Sequence, residues 1–236
     1  NFYFLLKCVR VILYMIDRAA EFLRNCKGKT VIVYDTDGDG IGAAVILSKT
    51  LGKLFKRYPK TVPRDHGLSL ITNKLLQSIG GFENIIFLDI AADERPEEIL
   101  KLAKKSNVMI VDHHLVQKDL NSGVVHINPS FFEKKIPASK YCTSKLAYDI
   151  CSNLTETKDM DWLAGIGIVN DIAEDVWKVL MKSIYRKYKL SPKNFKVVNN
   201  ILTSVYMLSE NKDTTLGYKA CFESSSPDDI LKARNS

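Results

Sequence analysis

Three aspartates follow an apolar run near the start of the chain. The run reads VIVY, and Asp35, Asp37 and Asp39 alternate after it in the stretch DTDGDG. Carboxylates at this spacing repel one another at the end of a strand, so they need a cation or several amide donors beside them. A second apolar run, VMIV, ends in Asp-His-His at 112–114. Because oxygen ligands joined by imidazole favour manganese or magnesium, the two segments predict a divalent-metal site.

Other sites compete for the aspartate motif. D-x-D-x-D-G opens an EF-hand calcium loop, but its twelfth position falls on Ile46, where a glutamate is required, and a strand-like run stands where a helix should precede it. The fingerprint G-x-G-x-x-A of dinucleotide sites fits Gly38, Gly40 and Ala43. Asp39 would put a charge where the pyrophosphate sits, and no acidic residue follows at the distance needed to hold a ribose. Both sites are disfavoured, whereas a capped turn with solvated aspartates stays open.

Composition indicates a folded protein. The chain has 236 residues, 46% of them hydrophobic, which suits a domain with a sizeable core. The five cysteines form no C-x-x-C pair, which disfavours zinc and a disulfide framework, so we expect a reducing, cytoplasmic compartment. The first fourteen residues are apolar but include Lys7 and Arg10 and are too short to cross a bilayer, so we expect no membrane association.

The net charge of +7 is unevenly distributed. Residues 176–209 carry seven Lys or Arg and no acidic residue, with Trp177, Tyr185, Tyr188 and Phe195 interleaved. This mixture is typical of a surface that follows phosphates and stacks on bases, which predicts a polyanionic partner. An amphipathic helix with a solvated basic face is the alternative.

Hydrophobic periodicity predicts alternating strands and helices. Apolar runs predict strands over 30–34, 84–90 and 108–111. Helical periodicity predicts helices over 16–25, 41–54, 68–79, 97–106 and 139–153. The remaining segments are predicted as a loop over 61–67, a helix or strand over 162–169 and a turn over 189–194, with the rest helical.

The alternation predicts an α/β fold, a Rossmann-like parallel sheet with helices on both faces, followed by a helical linker region. Ligands of such sheets gather at the carboxyl ends of the strands. Asp89 ends the apolar segment NIIFLD, so it joins the aspartate motif and the 112–114 triplet at this rim. Three strand ends are thereby expected to share one site.

Four motifs in this order resemble those of the DHH phosphoesterases, and among them the RecJ-like single-strand exonucleases, above all the archaeal type. They are D-x-D-x-D-G at 35–40, FLDIA with Asp89, the name-giving triplet at 112–114, and IGIVNDIAED with Asp171. Two further segments of this chain resemble weaker features of the family: VPRDHGLSL around Arg64 and HINPS at 126–130. The resemblance covers roughly residues 28–236.

What the resemblance implies is a hydrolase with two divalent cations, most often manganese, with magnesium as the alternative. Such cations activate water and offset phosphoryl charge, so no protein nucleophile is needed. The implied metal ligands are Asp35, Asp37, Asp39, Asp89, His113, His114 and Asp171. All of them except Asp35 are also implied to be catalytic. Asp112 is implied to orient a histidine from behind the ligands, and Arg64 and His114 to contact phosphate. Which histidine binds metal stays open.

The resemblance also implies a domain organisation. Complete members carry a second domain, called DHHA1, with a glycine-rich segment and a histidine that grips substrate, whereas the last histidine here is His126. We expect an N-terminal helical extension over 1–26, a DHH catalytic domain over 27–175, and a basic helical region and linker over 176–236 that leads toward an absent second domain.

The implied function is an exonuclease that acts on single-stranded DNA or RNA, with a replication or repair protein as a further partner. Two alternatives stay open: a phosphodiesterase for short oligoribonucleotides or cyclic dinucleotides, and a non-catalytic module of a replication complex. Members of the last class lose metal ligands, whereas every ligand position here holds Asp or His, which favours catalysis. Inorganic pyrophosphatases begin with H-x-x-x-D-x-D, and Val31 occupies the position of that histidine before Asp35.

Overall fold

A computed structural model of the chain describes residues 2–64, 71–133, 135–208 and 213–233. Its described residues contain five strands, β1 (Thr30–Tyr34), β2 (Lys60–Pro63), β3 (Asn84–Leu88), β4 (Asn107–Val111) and β5 (Val125–Ile127). They form one parallel sheet in the order β2-β1-β3-β4-β5. The predicted α/β class with a parallel sheet is therefore confirmed.

Ten α-helices lie in the described part of the chain. They are α1 (Phe2–Arg24), α2 (Gly38–Phe55), α3 (Asn73–Ile79), α4 (Pro96–Ala103), α5 (Thr143–Ser152), α6 (Asp161–Asn170), α7 (Lys178–Tyr188), α8 (Pro192–Leu208), α9 (Leu216–Glu223) and α10 (Pro227–Ala233). Within the described residues, none of these helices combines the length and apolar character needed to span a bilayer.

The sheet separates two hydrophobic cores, because successive strand residues point to opposite faces. Ile32 and Tyr34 of β1 join a core with residues of α1, α2, α5, α6 and α8. Val31 and Val33 join a second core with α3 and α4. All five residues of β1 are buried, as expected for a central strand covered on both faces. The prediction of helices on both faces is confirmed.

Several element boundaries differ from the prediction. The helix predicted from 41 begins at Gly38, because Asp37 caps its first turn. The segment left open over 162–169 lies in α6. The turn predicted over 189–194 is shorter, since Lys189 takes a left-handed φ of 53° after α7 and α8 begins at Pro192. The helix predicted over 139–153 starts at Thr143.

The prediction of a loop over 61–67 was wrong for the first part of that segment. Lys60–Pro63 forms β2, which pairs with β1 in the register Val33 to Val62. This short edge strand is half-exposed and lacks an apolar run, so only its partner strand reveals it. Residues 65–70, which include His66 and the start of the helix predicted from 68, lie outside the described residues.

The first helix is longer than predicted. The expected helix over 16–25 is the end of α1, which begins at Phe2. Met15, Ala19 and Leu23 are buried in the core shared with α5 and β5. The division into 1–26, 27–175 and 176–236 remains a proposal.

The four aromatic residues interleaved in the basic stretch, at positions 177, 185, 188 and 195, pack inward, contrary to the base-stacking interpretation. Phe195 is fully buried, and its ring lies 5.2 Å from that of Tyr185. Tyr188 Oη donates to Asp161 Oδ1 at 2.7 Å, and Trp177 Nε1 donates to the carbonyl oxygen of Lys140 at 2.7 Å. The exposed side of α7 is basic: Lys178, Lys182, Arg186 and Lys187. The amphipathic-helix alternative describes α7 correctly.

Candidate metal centre

The aspartate motif connects β1 to α2. The backbone N–H of Asp35 donates to Leu88 O at 3.2 Å, which continues the sheet by one residue. Asp37 is the N-cap of α2, and its Oδ1 accepts from the backbone N–H groups of Asp39 and Gly40, both at 3.0 Å. The positive end of the helix dipole stabilises these negative charges. The motif thus brings its carboxylates to the carboxyl end of a central strand.

Asp39 is fully buried and bound by the start of α5. Its Oδ2 accepts from the backbone N–H of Thr143 at 2.7 Å, and its Oδ1 accepts from that of Ser144 at 2.9 Å. Gly167 of α6 leaves the space that this carboxylate fills, since an added Cβ there would lie 2.1 Å from Asp39 Oδ1. Two helices distant in sequence therefore fix the orientation of Asp39.

His113 joins carboxylates from three elements. Its Nε2 lies 3.3 Å from Asp89 Oδ1, 3.6 Å from Asp171 Oδ2 and 3.9 Å from Asp39 Oδ2. Asp89 follows β3 with a left-handed φ of 59°, and its Oδ1 also accepts from Thr143 Oγ1 at 3.0 Å. The structure thus brings together four of the predicted ligands.

Asn170 connects the first and fourth motifs. Its Nδ2 donates to Asp37 Oδ2 at 2.9 Å and to Asp171 Oδ1 at 3.1 Å. Asp171 is the C-cap of α6, so the end of this helix delivers both side chains to the rim. Sequence reasoning missed Asn170, and the available signal was its position directly before the aspartate of the fourth motif.

The two histidines occupy different environments. His114 Nδ1 lies 2.7 Å from Asp112 Oδ1, and the backbone N–H of His114 donates to Asp112 Oδ2 at 3.2 Å. Asn128 Nδ2 donates to His114 O at 2.9 Å. The side chain of His114 is 46% exposed, whereas that of His113 is 10% exposed. His113 lies within the carboxylate cluster, and His114 lies at its solvent side in contact with Asp112.

A family model confirms the relationship that the motifs suggested. The DHH family, N-terminal domain, matches residues 29–176, which span the strands and the cluster. The chain belongs to the DHH family. No curated protein matches the chain.

Solved structures share the DHH fold. A DHH-domain protein described as a member of a family of ribosomal proteins has a TM-score of 0.73 at 14% identity, over 97% of this chain and 63% of its own. An exonuclease RecJ bound to manganese has a TM-score of 0.63 at 16% identity, and the match covers 93% of this chain and 63% of the RecJ chain. CDC45 from Entamoeba histolytica has a TM-score of 0.54 at 18% identity, and the match covers 75% of this chain and 38% of the CDC45 chain. The chain therefore spans about 63% of the first two proteins, and at these identities the likeness is one of fold.

Arg64, the predicted phosphate contact of this DHH-family site, lies beside Asp35. Its Nε is 2.7 Å from Asp35 Oδ1, and its backbone N–H donates to Tyr34 O at 2.9 Å. The two residues meet because β2 runs parallel to β1, so that both strands end at the same edge of the sheet. Arg64 thus stands at the rim, and its contact with phosphate stays a prediction.

Burial shifts the protonation equilibria of the cluster. Burial, followed by the charge of Asp39, raises the pKa of Asp89 well above its usual range. The same two causes raise the pKa of Asp171 to about 7. Burial alone lowers the pKa of His113, but its hydrogen bond with Asp89 and the nearby charges of Asp39, Asp89 and Asp171 raise it to about 10. These shifts all favour binding of protons in the metal-free cluster, and a bound cation would compete with those protons.

The donor set fits divalent cations. Asp171 Oδ2 and His113 Nδ1 are buried and have no hydrogen-bond partner among the described residues. Carboxylate oxygens and imidazole are the ligands that manganese and related cations prefer. Ligand atoms lie within 4.8 Å of one another in three sets: Asp35, Asp37 and Asp89; Asp89, His113 and His114; and Asp39, Cys142 and Asp171. Cys142 was not predicted, because its place beside two carboxylates depends on how α5 packs.

A cleft of about 600 Å³ opens beside the cluster. Four of its lining residues were not predicted, namely Leu115, Ala138, Ser139 and Ser130, the last of which lies within the HINPS segment. The others are predicted site residues: Asp37, Asp89, His113, His114 and Asp171. Small-molecule sites commonly have volumes of about 300–1,000 Å³. The cleft therefore has room for a substrate group at the cluster.

Proposed function

We propose that this DHH-family chain is a metal-dependent phosphodiesterase, a RecJ-like exonuclease that hydrolyses single-stranded DNA or RNA with two divalent cations. The observation that carries the proposal is the convergence of Asp39, Asp89 and Asp171 on His113 Nε2, at distances of 3.3–3.9 Å. Four chain segments supply these ligands to one end of the sheet. A RecJ of similar fold is bound to manganese, which supports manganese as the cation.

The proposed metal ligands are Asp35, Asp37, Asp39, Asp89, His113 and Asp171, with His114 as the alternative imidazole, since its ring lies within 4.8 Å of ligand atoms of Asp89 and His113. Two divalent cations held there would supply an activated water and neutralise charge on the phosphoryl and leaving oxygens. The chain itself fixes the ligands: α5 orients Asp39, Asn170 orients Asp37 and Asp171, and Thr143 orients Asp89. Such preorganised contacts hold the ligands in place while the substrate binds.

His114 is the proposed contact with phosphate. Its hydrogen bond with Asp112 raises the pKa of His114, so the ring remains protonated to a higher pH. The ring is half-exposed at the cleft, and a protonated ring carries N–H donors that suit an anionic oxygen. Arg64 is the proposed second contact, since a guanidinium binds phosphate oxygens well.

The exposed basic side of α7 supports a nucleic acid as substrate. Lys178, Lys182 and Arg186 are exposed there, and basic side chains attract a phosphate backbone without regard to base sequence. We therefore propose that strands bind electrostatically along α7. A CDC45 of similar fold and the RecJ proteins are the basis for proposing a replication or repair protein as a partner.

Strand degradation by the purified chain tests the proposal. We expect Mn²⁺ to support degradation of a 5′-labelled single strand, and EDTA to stop it. Asp37→Asn should abolish degradation and keep the α2 cap, because asparagine caps helices as well as aspartate does. Asp37→Ala should abolish degradation and also lose about 1 kcal/mol of stability, since it removes the cap.

Three outcomes would change the assignment. Undiminished degradation by purified Asp37→Asn or His113→Ala would contradict the assigned site. Cleavage of a dinucleotide but not of a long strand would identify an oligonucleotide phosphodiesterase instead. Strand binding with no hydrolysis at any Mn²⁺ concentration would identify a binding module.

A further inference from the structure

Ile172 has a strained backbone directly after the proposed ligand Asp171. The end of α6 forms a Schellman motif, in which the N–H of Ala173 donates to Ile168 O at 2.9 Å and the N–H of Ile172 to Val169 O at 3.3 Å. The motif requires a left-handed residue at Ile172, whose φ is 52°. Glycine is the usual residue there, and a β-branched residue is disfavoured.

Packing does not account for the isoleucine. Its side chain is 77% exposed, so it contributes little to the core. Lys140 Nζ donates to the carbonyl oxygens of both Asp171 and Ile172, which stabilises the backbone at this turn. An isoleucine thus directly follows the proposed ligand Asp171 although neither its backbone conformation nor its burial favours this residue type there.

A second exposed aliphatic side chain follows the proposed phosphate contact. Leu115 comes directly after His114, lines the cleft and is 81% exposed. Exposed apolar side chains that stand singly on a surface need no explanation. Here, however, each of two large ones comes directly after a residue of the proposed site, and one lines the cleft itself.

We propose that Leu115 and Ile172 contact the nucleosides adjoining the bound phosphodiester, so that the site selects phosphodiesters that carry bases. This inference rests on the proposed function. Leucine and isoleucine are among the side chains that proteins place against the faces of bases, and such contact removes apolar surface from water on both partners. An inorganic polyphosphate offers no apolar surface to these side chains.

The size of the cleft agrees with this occupant. Its volume of about 600 Å³ is within the range for small-molecule ligands and leaves room beyond a phosphate group. Ala138 also lines the cleft and adds apolar surface, while Ser139 adds a hydroxyl. The metal centre would hold the phosphate, and the aliphatic side chains would hold the adjoining nucleosides.

Two substrates with the same leaving group test the proposal: thymidine 5′-(p-nitrophenyl phosphate) and methyl p-nitrophenyl phosphate. The measured quantity is the ratio of kcat/KM for the first to that for the second, with Mn²⁺. We expect Leu115→Ser and Ile172→Asn each to lower this ratio about fivefold, since each removes apolar contact with the nucleoside. Asparagine tolerates the left-handed conformation, so Ile172→Asn removes the aliphatic surface without adding strain.

Leu13→Ser is the matched control, because Leu13 is also exposed, at 53%, and lies on α1 outside the cleft lining. A binding measurement accompanies the kinetics: fluorescence anisotropy of phosphorothioate strands of thymidine or of abasic units. Leu115→Ser and Ile172→Asn should weaken binding of the thymidine strand more than that of the abasic strand.

The outcomes separate this inference from the proposed function. A wild-type protein that treats both esters alike and binds both strands alike overturns the inference. Variants that keep the wild-type ratio and the wild-type binding difference overturn it as well. Absence of Mn²⁺-dependent hydrolysis of both esters and of the 5′-labelled strand overturns the proposed function, and the thymidine and abasic strands still decide whether Leu115 and Ile172 contact bases.

Discussion

His113 Nε2 lies 3.3 Å from Asp89 Oδ1, although the two residues follow different strands. The register that pairs Leu88 of β3 with Val111 of β4 brings the strand ends side by side. Asp89 directly follows β3 and itself has a left-handed backbone conformation. His113 comes two residues after the end of β4. Strand pairing therefore decides that a carboxylate and an imidazole meet at the rim.

Asn170 is expected to support metal binding through the ligands that it contacts. Asn170→Ala removes the donor shared by Asp37 and Asp171, so these carboxylates lose their fixed orientation. We expect Mn²⁺ affinity, measured by isothermal titration calorimetry, to fall about 10–100-fold. Asn153→Ala is the control, since Asn153 follows α5 and its Nδ2 donates to the carbonyl oxygen of Asp149 on that helix. Equal affinities in the two variants would argue against this role.

Gly167 is expected to be essential for the position of Asp39. In Gly167→Ala the new Cβ would lie 2.0 Å from Ser144 Oγ and 2.1 Å from Asp39 Oδ1, so these groups must move. We expect a loss of about 1–3 kcal/mol in the free energy of unfolding and weaker Mn²⁺ binding. Gly81→Ala is the matched control, because nothing lies within 4 Å of its added Cβ. Wild-type stability and affinity in Gly167→Ala would refute the packing argument.

Stability without metal should fall as pH rises. Burial and the charge of Asp39 raise the pKa of Asp171 from 3.8 to about 7, so the folded state keeps a proton that the unfolded chain releases. This contribution to the free energy of unfolding is lost between about pH 4 and pH 7. Burial lowers the pKa of His113, but the contact with Asp89 and the charges around it raise it from 6.5 to about 10, so its contribution is lost as pH rises further.

Cations compete with these protons, so Mn²⁺ should stabilise the protein more at pH 8 than at pH 6. Thermal unfolding in EDTA and in Mn²⁺ measures the difference at each pH. Calorimetry in buffers of different ionisation enthalpy should also detect proton release when Mn²⁺ binds. A stabilisation by Mn²⁺ that does not change with pH would contradict the assignment of these groups as ligands.

Ile172→Gly should stabilise the protein. Glycine adopts the left-handed conformation at this Schellman position without strain, and the exposed isoleucine side chain contributes little burial. We expect the free energy of unfolding in EDTA to rise by about 0.5–1 kcal/mol, measured by urea denaturation. The same substitution at Val179, which is 87% exposed within α7, should instead destabilise, because glycine is a poor helix former. A destabilised Ile172→Gly would show that the turn is not strained.

Local patterns in the sequence determined the three central strands of the sheet and the edge at which the candidate site lies. Apolar runs such as TVIVY and NIIFL predicted β1 and β3, because strands buried on both faces need continuous hydrophobic residues. Polar residues directly after these runs predicted where the proposed metal ligands lie, since parallel strands end at one edge. The order of the four motifs resembled the DHH family, and the family match over residues 29–176 confirmed it.

Only the tertiary structure decided which side chains meet and which way they face. Asp39 is bound by Thr143 and Ser144, more than a hundred residues away, because α5 packs against α2. Periodicity along one segment carries no information on such a contact. For the same reason it could not show that β2 pairs with β1, that Phe195 is buried, or that His113 rather than His114 lies among the carboxylates. Hydrophobic pattern and turn chemistry act locally, whereas these contacts depend on how the helices pack on the sheet.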